Sequence, residues 1–242
     1  MSLKRSVTLD VSSRPVKRTR KNHKKKAPVA APTRSAIQKA IAASRETKTC
    51  YASGIEQSLN TVGSYGFKAY SWAVPANGTD STDRIGNKIN PTRLQLRLIC
   101  HNNMPVTLYQ RLLVLRVKQG NAIADANIAD ELFDNWNGQD KSVQGVLSDL
   151  VSPINGEEYV VMHDEVVEMG YTTANMATAS SRAYSRVLSF TPLKNMTFDD
   201  KDGHQPTTNR YVFCVITKRA DADESTGESI ELTYDVRMEF KD

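Results

Sequence analysis

The sequence predicts an all-β body, either a sandwich or a barrel of about eight strands, that follows a basic N-terminal segment. Apolar and polar residues alternate around Leu94, Leu96 and Leu98, and again without interruption from Ile230 to Phe240. A period of two is typical of a strand with one buried face. No apolar run approaches the ~20 residues that cross a bilayer. We therefore expect neither a helical nor a membrane-spanning protein.

The charge of the chain is divided unequally along the sequence, although its total is only +5. Residues 1–48 hold 14 Lys and Arg and 2 Asp and Glu, a net charge of +12. Residues 49–242 hold 18 Lys and Arg and 25 Asp and Glu, a net charge of −7. A cationic segment joined to an acidic body is typical of a protein with a polyanionic partner. We divide the chain into a basic, largely disordered arm, residues 1–48, and a β body, residues 49–242.

The first 33 residues are poor in large apolar side chains, so they are expected to be disordered when alone. Their cations would bind phosphates by counterion release with little sequence preference, since aromatic residues that could stack on bases are scarce. Lys17 with Arg18, and the run 24–26, also resemble a nuclear localisation signal, which is compatible with nucleic-acid binding. A merely solubilising tail is the third interpretation. The candidate binding and import residues are Lys4, Arg5, Arg14, Lys17, Arg18, Arg20, Lys21, Lys24, Lys25 and Lys26.

A short helix is predicted over residues 34–45, between the basic segment and the body. Ala36, Ile37, Ala40 and Ile41 form one apolar stripe at helical spacing, and Thr33 is a suitable N-cap. A helix of about three turns is marginally stable alone. We expect it to form against the body or on nucleic acid.

The body is expected to consist mainly of strands. Gly86 and Pro91 indicate a turn before one of them, because glycine tolerates positive φ and proline fixes φ. Residues 121–150 favour a long surface connection with one or two short helices, and residues 121–157 and 170–184 are the expected surface or contact loops. The strand at 108–118 is expected to be buried on both faces in its middle. Strand signals occur at residues 65–74, 92–99, 108–118, 158–169, 186–192, 210–218 and 229–240.

No group of residues in the sequence indicates catalysis, a bound metal or a cofactor. Walker, Gly-x-Gly-x-x-Gly, His-Glu-x-x-His and Cys-x-x-Cys motifs are lacking, and the four histidines are far apart. We interpret His163-Asp164-Glu165, inside a strand pattern, as a bulge or an exposed face. The acidic segment 199–203 lacks the spacing of an EF-hand loop. Three widely spaced cysteines favour buried thiols over disulfides. The protein is therefore not expected to be an enzyme.

Residues 84–89 resemble a signature of jelly-roll capsid proteins. These proteins belong to small circular Rep-encoding single-stranded DNA viruses and to related small plant viruses and satellites. The signature is Arg-Ile-Gly-(Asn or Asp)-Lys-Ile, and the alternating strand at Leu94 follows it. Further pieces resembling the family's strands follow in order at residues 109–118, 159–165, 209–216 and 236–242, and the basic arm resembles the family's N-terminus. The matching signature residues are Arg84, Ile85, Gly86, Lys88 and Ile89.

The resemblance implies an eight-stranded antiparallel jelly-roll sandwich that self-assembles into an icosahedral shell. The arm would package single-stranded nucleic acid, either circular DNA, which the resemblance favours, or RNA. It would also act as an import signal, so the expected locations are the virion and the host nucleus. The expected partners are further copies of the chain, the nucleic acid and a host nuclear import receptor, with no membrane. The alternative is a nuclear nucleic-acid-binding or shuttle protein with a β-sandwich body that does not assemble.

Four cations near the signature allow two interpretations. Arg84, Lys88, Arg93 and Arg97 pair with acidic residues of a neighbouring subunit, such as those in residues 221–228, or they line the interior beside nucleic acid. The first is favoured because an acidic body needs its few cations for its own contacts.

Overall fold

The computed structural model describes residues 36, 40, 46–56, 65–103, 106–119, 125–134, 141–170, 183–191, 193–199, 205–220 and 230–242. The chain forms two compact units, Met1–Ser44 and Arg45–Asp242. In the first unit, Ala36 and Ala40 of the predicted helix are helical and exposed. The other positions of that helix lie outside the described residues. No helix in the part of the chain described is long and apolar enough to cross a membrane.

Nine strands and two short 3₁₀ helices make up the described part of the second unit. The strands are β1 Lys48–Glu56, β2 Tyr65–Ser71, β3 Lys88–Asn102, β4 Leu108–Gln119, β5 Tyr159–Met169, β6 Ala183–Phe190, β7 Met196–Thr197, β8 Thr208–Arg219 and β9 Ile230–Lys241. The helices are η1 Asp125–Asp130 and η2 Leu147–Leu150.

The eight long strands form two antiparallel sheets of four. Sheet 1 has the order β1-β9-β3-β6 and sheet 2 the order β2-β8-β4-β5. Successive long strands alternate between the two sheets except for β4 and β5, which are neighbours in sheet 2. This order of strands is the topology of a jelly roll. The predicted fold class is confirmed. A ninth, two-residue strand, β7, pairs with both β3 and β8 and joins the two sheets at one corner.

The sandwich core lies between the two sheets and is built by the alternation seen in the sequence. Leu94, Leu96 and Leu98 of β3 are almost completely buried, whereas Arg93 and Arg97 face solvent on the other side of sheet 1. The strand begins at Lys88, four residues earlier than predicted, so Pro91 lies inside it. The ladder between β3 and β9 shifts register between Pro91 and Arg93, and a bulge is one of the few strand positions that tolerate proline.

The edge strand β1 was not among the predicted strands, because its large apolar side chains point outward. Its inward positions, Cys50, Ala52 and Gly54, are small. The phenol ring of Tyr234 on β9 occupies the space above Gly54: a Cβ there would lie 2.5 Å from Cζ of that ring. The core space beside β1 is therefore filled by the Tyr234 ring of β9 and not by a large side chain of β1 itself.

A third layer covers the outer face of sheet 2. Phe133 forms an antiparallel bridge with Ile154, and its N–H donates to the Lys141 carbonyl at 2.9 Å. The predicted surface connection thus has a buried inner side, and its burial explains why β4 is apolar on both faces, as predicted. This second core contains Leu113, Leu115, Val117, Ile128, Leu132, Phe133, Val143, Leu150, Ile154, Tyr159, Val212, Cys214 and Ile216.

Candidate functional site

The ten arm residues predicted to bind nucleic acid and an import receptor lie outside the described residues. Their binding role stays a prediction from the sequence. The functional features that the structure does describe belong to the second unit. They are the signature turn, the outer face of sheet 1, the exposed side of the third layer and the charged groups at the strand edges.

Arg84 of the signature is buried within its own chain. Its backbone N–H donates to the Ala76 carbonyl at 2.8 Å, and its own carbonyl accepts the N–H of Gly78 at 3.2 Å. The guanidinium lies 4.0 Å from the centre of the Phe198 ring and donates through Nη1 to the Gly86 carbonyl. A cation over an aromatic face is stabilised by the ring quadrupole. Arg84 therefore fixes the turn that precedes β3, and the two interpretations that place it on a surface are wrong.

The remaining signature residues divide between turn and core. Gly86 has a φ of +94°, a conformation that residues with a Cβ rarely adopt. Ile89 is buried in the sandwich core, whereas Ile85 and Lys88 are exposed. The signature thus acts mainly as a structural element that places β3, with Lys88 left on the surface.

Arg93 and Arg97 lie on the outer face of sheet 1, opposite acidic residues of their own chain. In the ladder with β9, Arg93 is opposite Glu239 and Arg97 is opposite Asp235. Nε of Arg93 also donates to the Ser189 hydroxyl at 3.0 Å. Cross-strand pairs of opposite charge stabilise a sheet. Acidic residues of the same subunit therefore lie opposite both arginines, although Oε1 of Glu239 is 3.2 Å from Nη2 of Arg237 on its own strand. The acidic segment 221–228 lies outside the described residues.

The same outer face carries exposed apolar side chains. Tyr51, Ile55, Ile99 and Val187 are between 54% and 74% exposed. Ile55 and Ile99 flank Thr233 in one row of the sheet, and Val187 lies opposite Arg97 in the adjacent row. A groove of about 500 Å³ runs along these two rows. Exposed apolar surface of this kind is a feature of surfaces that contact another protein.

A second apolar patch lies on the third layer. Val146, Leu147 and Val151 surround η2 and are exposed. Beneath them Asp149 is buried, and its Oδ2 accepts the backbone N–H groups of Gln144, Gly145 and Val146 at 2.6–3.2 Å. Burial raises the pKa of Asp149 despite these three donors. The carboxylate holds the loop before η2 in shape and so presents the patch.

The segment His163-Asp164-Glu165 pairs regularly with β4, so the interpretation that it is a bulge is wrong. The bulge of β5 is the preceding residue, Met162, which is skipped between the pairs Val114–His163 and Leu115–Val161. Asp164 and Glu165 lie on opposite faces of the strand by ordinary alternation. Asp164 accepts a bidentate pair of hydrogen bonds from Arg111. Glu165 accepts two hydrogen bonds from Arg186 and lies 3.3 Å from Nε2 of His163. Both carboxylates are therefore engaged by arginines.

Among the described residues, no cluster of three or more His, Cys, Asp or Glu could hold a metal ion. Cys50, Cys100 and Cys214 are free and buried, as predicted. Burial raises the pKa of Cys50 to about 12 and that of Cys100 to about 11. Since the thiolate is the reactive form, the raised pKa values make Cys50 and Cys100 poor nucleophiles in the folded body.

Comparisons with known proteins give little beyond this geometry. No protein-family model matches the sequence, and no curated protein is similar to it. Among solved structures, the chain is similar to the BFDV capsid protein crystallised as a 60-mer, with a TM-score of 0.31 and 9% sequence identity. The match covers 81% of this chain and 93% of that chain. A TM-score of 0.31 is too low to establish a shared fold, and the jelly roll follows from the strand pairing alone.

Proposed function

We propose that this chain is a viral coat subunit that self-assembles into an icosahedral shell and packages single-stranded nucleic acid through its basic N-terminal arm. The observation that carries the proposal is the joining of two unlike parts. A segment of 48 residues with a net charge of +12 precedes an acidic jelly-roll body. A coat subunit needs a polyanion-binding segment on a body that can contact copies of itself.

Self-assembly is supported by the two exposed apolar patches of the body. One lies around Ile99 and Val187 on sheet 1, and the other around Leu147 and Val151 on the third layer. They are carried by opposite layers of the subunit. Two contact surfaces on different sides of one subunit are what a closed shell requires, because each copy must contact more than one neighbour.

The nucleic acid, the nuclear location and the import receptor rest on the arm and on the sequence resemblance. Within the proposal, the arm binds a circular single-stranded DNA genome by counterion release and is also recognised by a host import receptor. The protein has no enzymatic role and is found in the virion and in the host nucleus. The same arm would serve a nuclear shuttle protein that does not assemble, so assembly is the property that separates the two functions.

Electron microscopy of the purified full-length chain tests the proposal. We expect closed particles of uniform diameter that contain nucleic acid protected from nuclease. Digestion of the extracted nucleic acid with DNase or RNase identifies its type. Monomers or dimers alone, at all salt and pH conditions and with single-stranded DNA present, would contradict the proposal and favour the shuttle protein.

A further inference from the structure

The outer face of sheet 1 carries opposite net charges on its two central strands. Between the bulge and the far end of their ladder, the outward positions of β3 hold two arginines and no acid, a net charge of +2 with histidine neutral. Those of β9 hold three carboxylates and one arginine, a net charge of −2. The outward residues are Arg93, Gln95, Arg97, Ile99 and His101 on β3, and Glu231, Thr233, Asp235, Arg237 and Glu239 on β9. The face is therefore basic on one side of its midline and acidic on the other.

The two edge strands of the same face are complementary in size. Three rows cross all four strands, and each row has a large side chain at one edge and a serine at the other. The large side chains are 64% to 74% exposed. From β1 to β6 the edge residues of the rows are Tyr51 and Ser189, Ser53 and Val187, and Ile55 and Ser185. Bulk thus alternates along both edges, but in the opposite sense.

The charges at the centre of the face are not neutralised by close contacts. Arg97 and Asp235 lie opposite each other in the ladder, are exposed, and both line the groove of about 500 Å³. Within the part of the chain that the structure describes, neither side chain makes a hydrogen bond or an ion pair. A molecule that contacts this face would therefore be held best if it brought an acid to Arg97 and a base to Asp235.

A second copy of the same face meets these requirements. When two copies pack face to face about a two-fold axis that runs along the strands, midway between β3 and β9, β3 of one copy lies over β9 of the other. Arg97 then meets the partner's Asp235, and the reverse pair forms on the other side of the axis. The edge strand β1 lies over β6 of the other copy, so Tyr51 and Ile55 meet serines. The strands of the two facing sheets are aligned, which is a preferred geometry for stacked sheets.

The area of the face is also sufficient for a contact between two copies. Four strands spaced ~4.8 Å apart, with a rise of ~3.4 Å per residue from Arg93 to His101, cover roughly 600 Å² per copy. Two copies would bury about 1,200 Å² in total, which is the lower limit for specific protein interfaces. The exposed apolar side chains of Ile99 and Val187 would lose contact with water in this interface.

We propose that the outer face of sheet 1 binds the same face of a second copy about a two-fold axis between β3 and β9, with Arg97 of each copy paired with the partner's Asp235. This inference deepens the proposed function and rests on its association of copies, because it names one contact through which they associate. The contact is isologous, since both copies use the same surface. The patch on the third layer is left for a different neighbour.

The first test reverses one charge at a time in the full chain and follows association by sedimentation velocity and electron microscopy. R97D places a carboxylate over the partner's Asp235, and D235R places a guanidinium over the partner's Arg97. For each variant we expect the concentration of half-maximal association to rise at least ~10-fold. An equimolar mixture of the two variants should associate as wild type does, because each charge then meets its opposite in the other chain. The controls are K194D and E168R, which reverse exposed charges outside this face.

The second test fixes the register of the contact by cross-linking. The cysteines of S53C/V187C lie at opposite edges of one sheet, three strand spacings or ~14 Å apart, which is too far for a disulfide within the chain. In the proposed contact each cysteine faces the other one in the second copy. Oxidation should therefore give a covalent dimer on a non-reducing gel, whereas S53C alone and V187C alone should stay monomeric on that gel.

The results separate the contact from the proposed function. If wild type forms particles, R97D and D235R associate equally well, and S53C/V187C does not cross-link, the face is not a contact although the proposed function stands. If both single variants fail and their mixture is not restored, the two charges act within one chain, which overturns the inference. A wild-type chain that forms dimers only, with a restored mixture and the cross-link, would support the contact and contradict the shell. A wild-type chain that stays monomeric overturns both. Circular dichroism establishes that each variant is folded.

Discussion

Glu165 on β5 and Arg186 on β6 form a bidentate ion pair that connects the edge strands of the two sheets. Nε of Arg186 lies 2.8 Å from Oε2 of Glu165, and Nη2 lies 2.6 Å from Oε1. The guanidinium also lies 5.3 Å from the centre of the Tyr184 ring. Since β5 and β6 belong to different sheets and do not pair, the two side chains span the edge of the sandwich.

The stability of the body should depend on this pair in a pH-dependent way. Hydrogen bonds from Arg186 hold the pKa of Glu165 below its ordinary value of 4.5. A depressed carboxyl pKa stabilises the fold above the unfolded-state pKa, and this stabilisation is lost as the pH falls through the folded-state pKa. R186Q should therefore be less stable than wild type at pH 7. The difference should shrink as the pH falls below the ordinary glutamate pKa and vanish below the depressed pKa of the folded state. About a third of each side chain is exposed, so solvent screening limits the effect to about 0.5–1 kcal/mol. Urea denaturation at several pH values measures it, and a difference independent of pH would contradict the account.

Arg111 should contribute much more to stability, because it is buried between sheet 2 and the third layer. Its guanidinium makes two hydrogen bonds to Asp164, at 2.8 and 2.6 Å, and donates through Nη1 to the carbonyls of Asp149 and Ser152 at 2.8 Å each. R111L leaves two carbonyl groups and one carboxylate without this donor. We expect a loss of about 3 kcal/mol in the free energy of unfolding. D164N retains the carbonyl contacts and should cost clearly less. Equal losses for the two variants would show that the ion pair, not the anchoring of the third layer, is what Arg111 provides.

Substitution of Gly86 by any residue with a side chain should destabilise the body, although the added Cβ would not clash with a neighbouring atom. A Cβ at this position would meet nothing within 4 Å, but φ is +94°. G86A should therefore destabilise the body by about 1–2 kcal/mol through backbone strain alone. Gly156 is a matched control, since a Cβ there also meets nothing and its φ is not in the strained range. Thermal denaturation of G86A and G156A compares the two, and equal melting temperatures would mean that the turn relaxes without cost.

Deletion of residues 1–33 should remove most of the affinity for single-stranded nucleic acid and leave the body folded. The deleted segment carries ten Lys and Arg residues, so the salt dependence of binding should weaken with the affinity. Fluorescence anisotropy with an oligonucleotide, at low and at moderate ionic strength, measures both. An unchanged dissociation constant, or wild-type binding that does not respond to salt, would be incompatible with electrostatic packaging.

The parts of the fold that could be predicted from the sequence are those governed by a local pattern. Alternation placed β3 and β9 because Leu96 and Val236 face one core. The edge strand β1 was missed because its inward side is small and is filled by Tyr234 from another strand. The third layer over sheet 2 was indicated in the sequence only indirectly, by the apolar residues on both faces of β4. Both features depend on contacts between residues far apart in sequence.

The candidate site shows the same division. The signature could be recognised as a turn and strand, but the burial of Arg84 depends on Phe198, which the ladder between β3 and β7 brings near.

The three buried cysteines can be used as natural probes of local opening in the body. Cys50 lies on the edge strand β1, where its thiol donates to the Ala73 carbonyl at 3.4 Å, whereas Cys100 and Cys214 lie on strands paired on both sides. A thiol reagent can reach each sulfur only when the surrounding strand separates from its neighbours. The order in which the cysteines are labelled therefore reports the order in which parts of the sandwich open. Fraying of the β1 edge exposes Cys50, whereas Cys100 and Cys214 become accessible only when a whole sheet is lost.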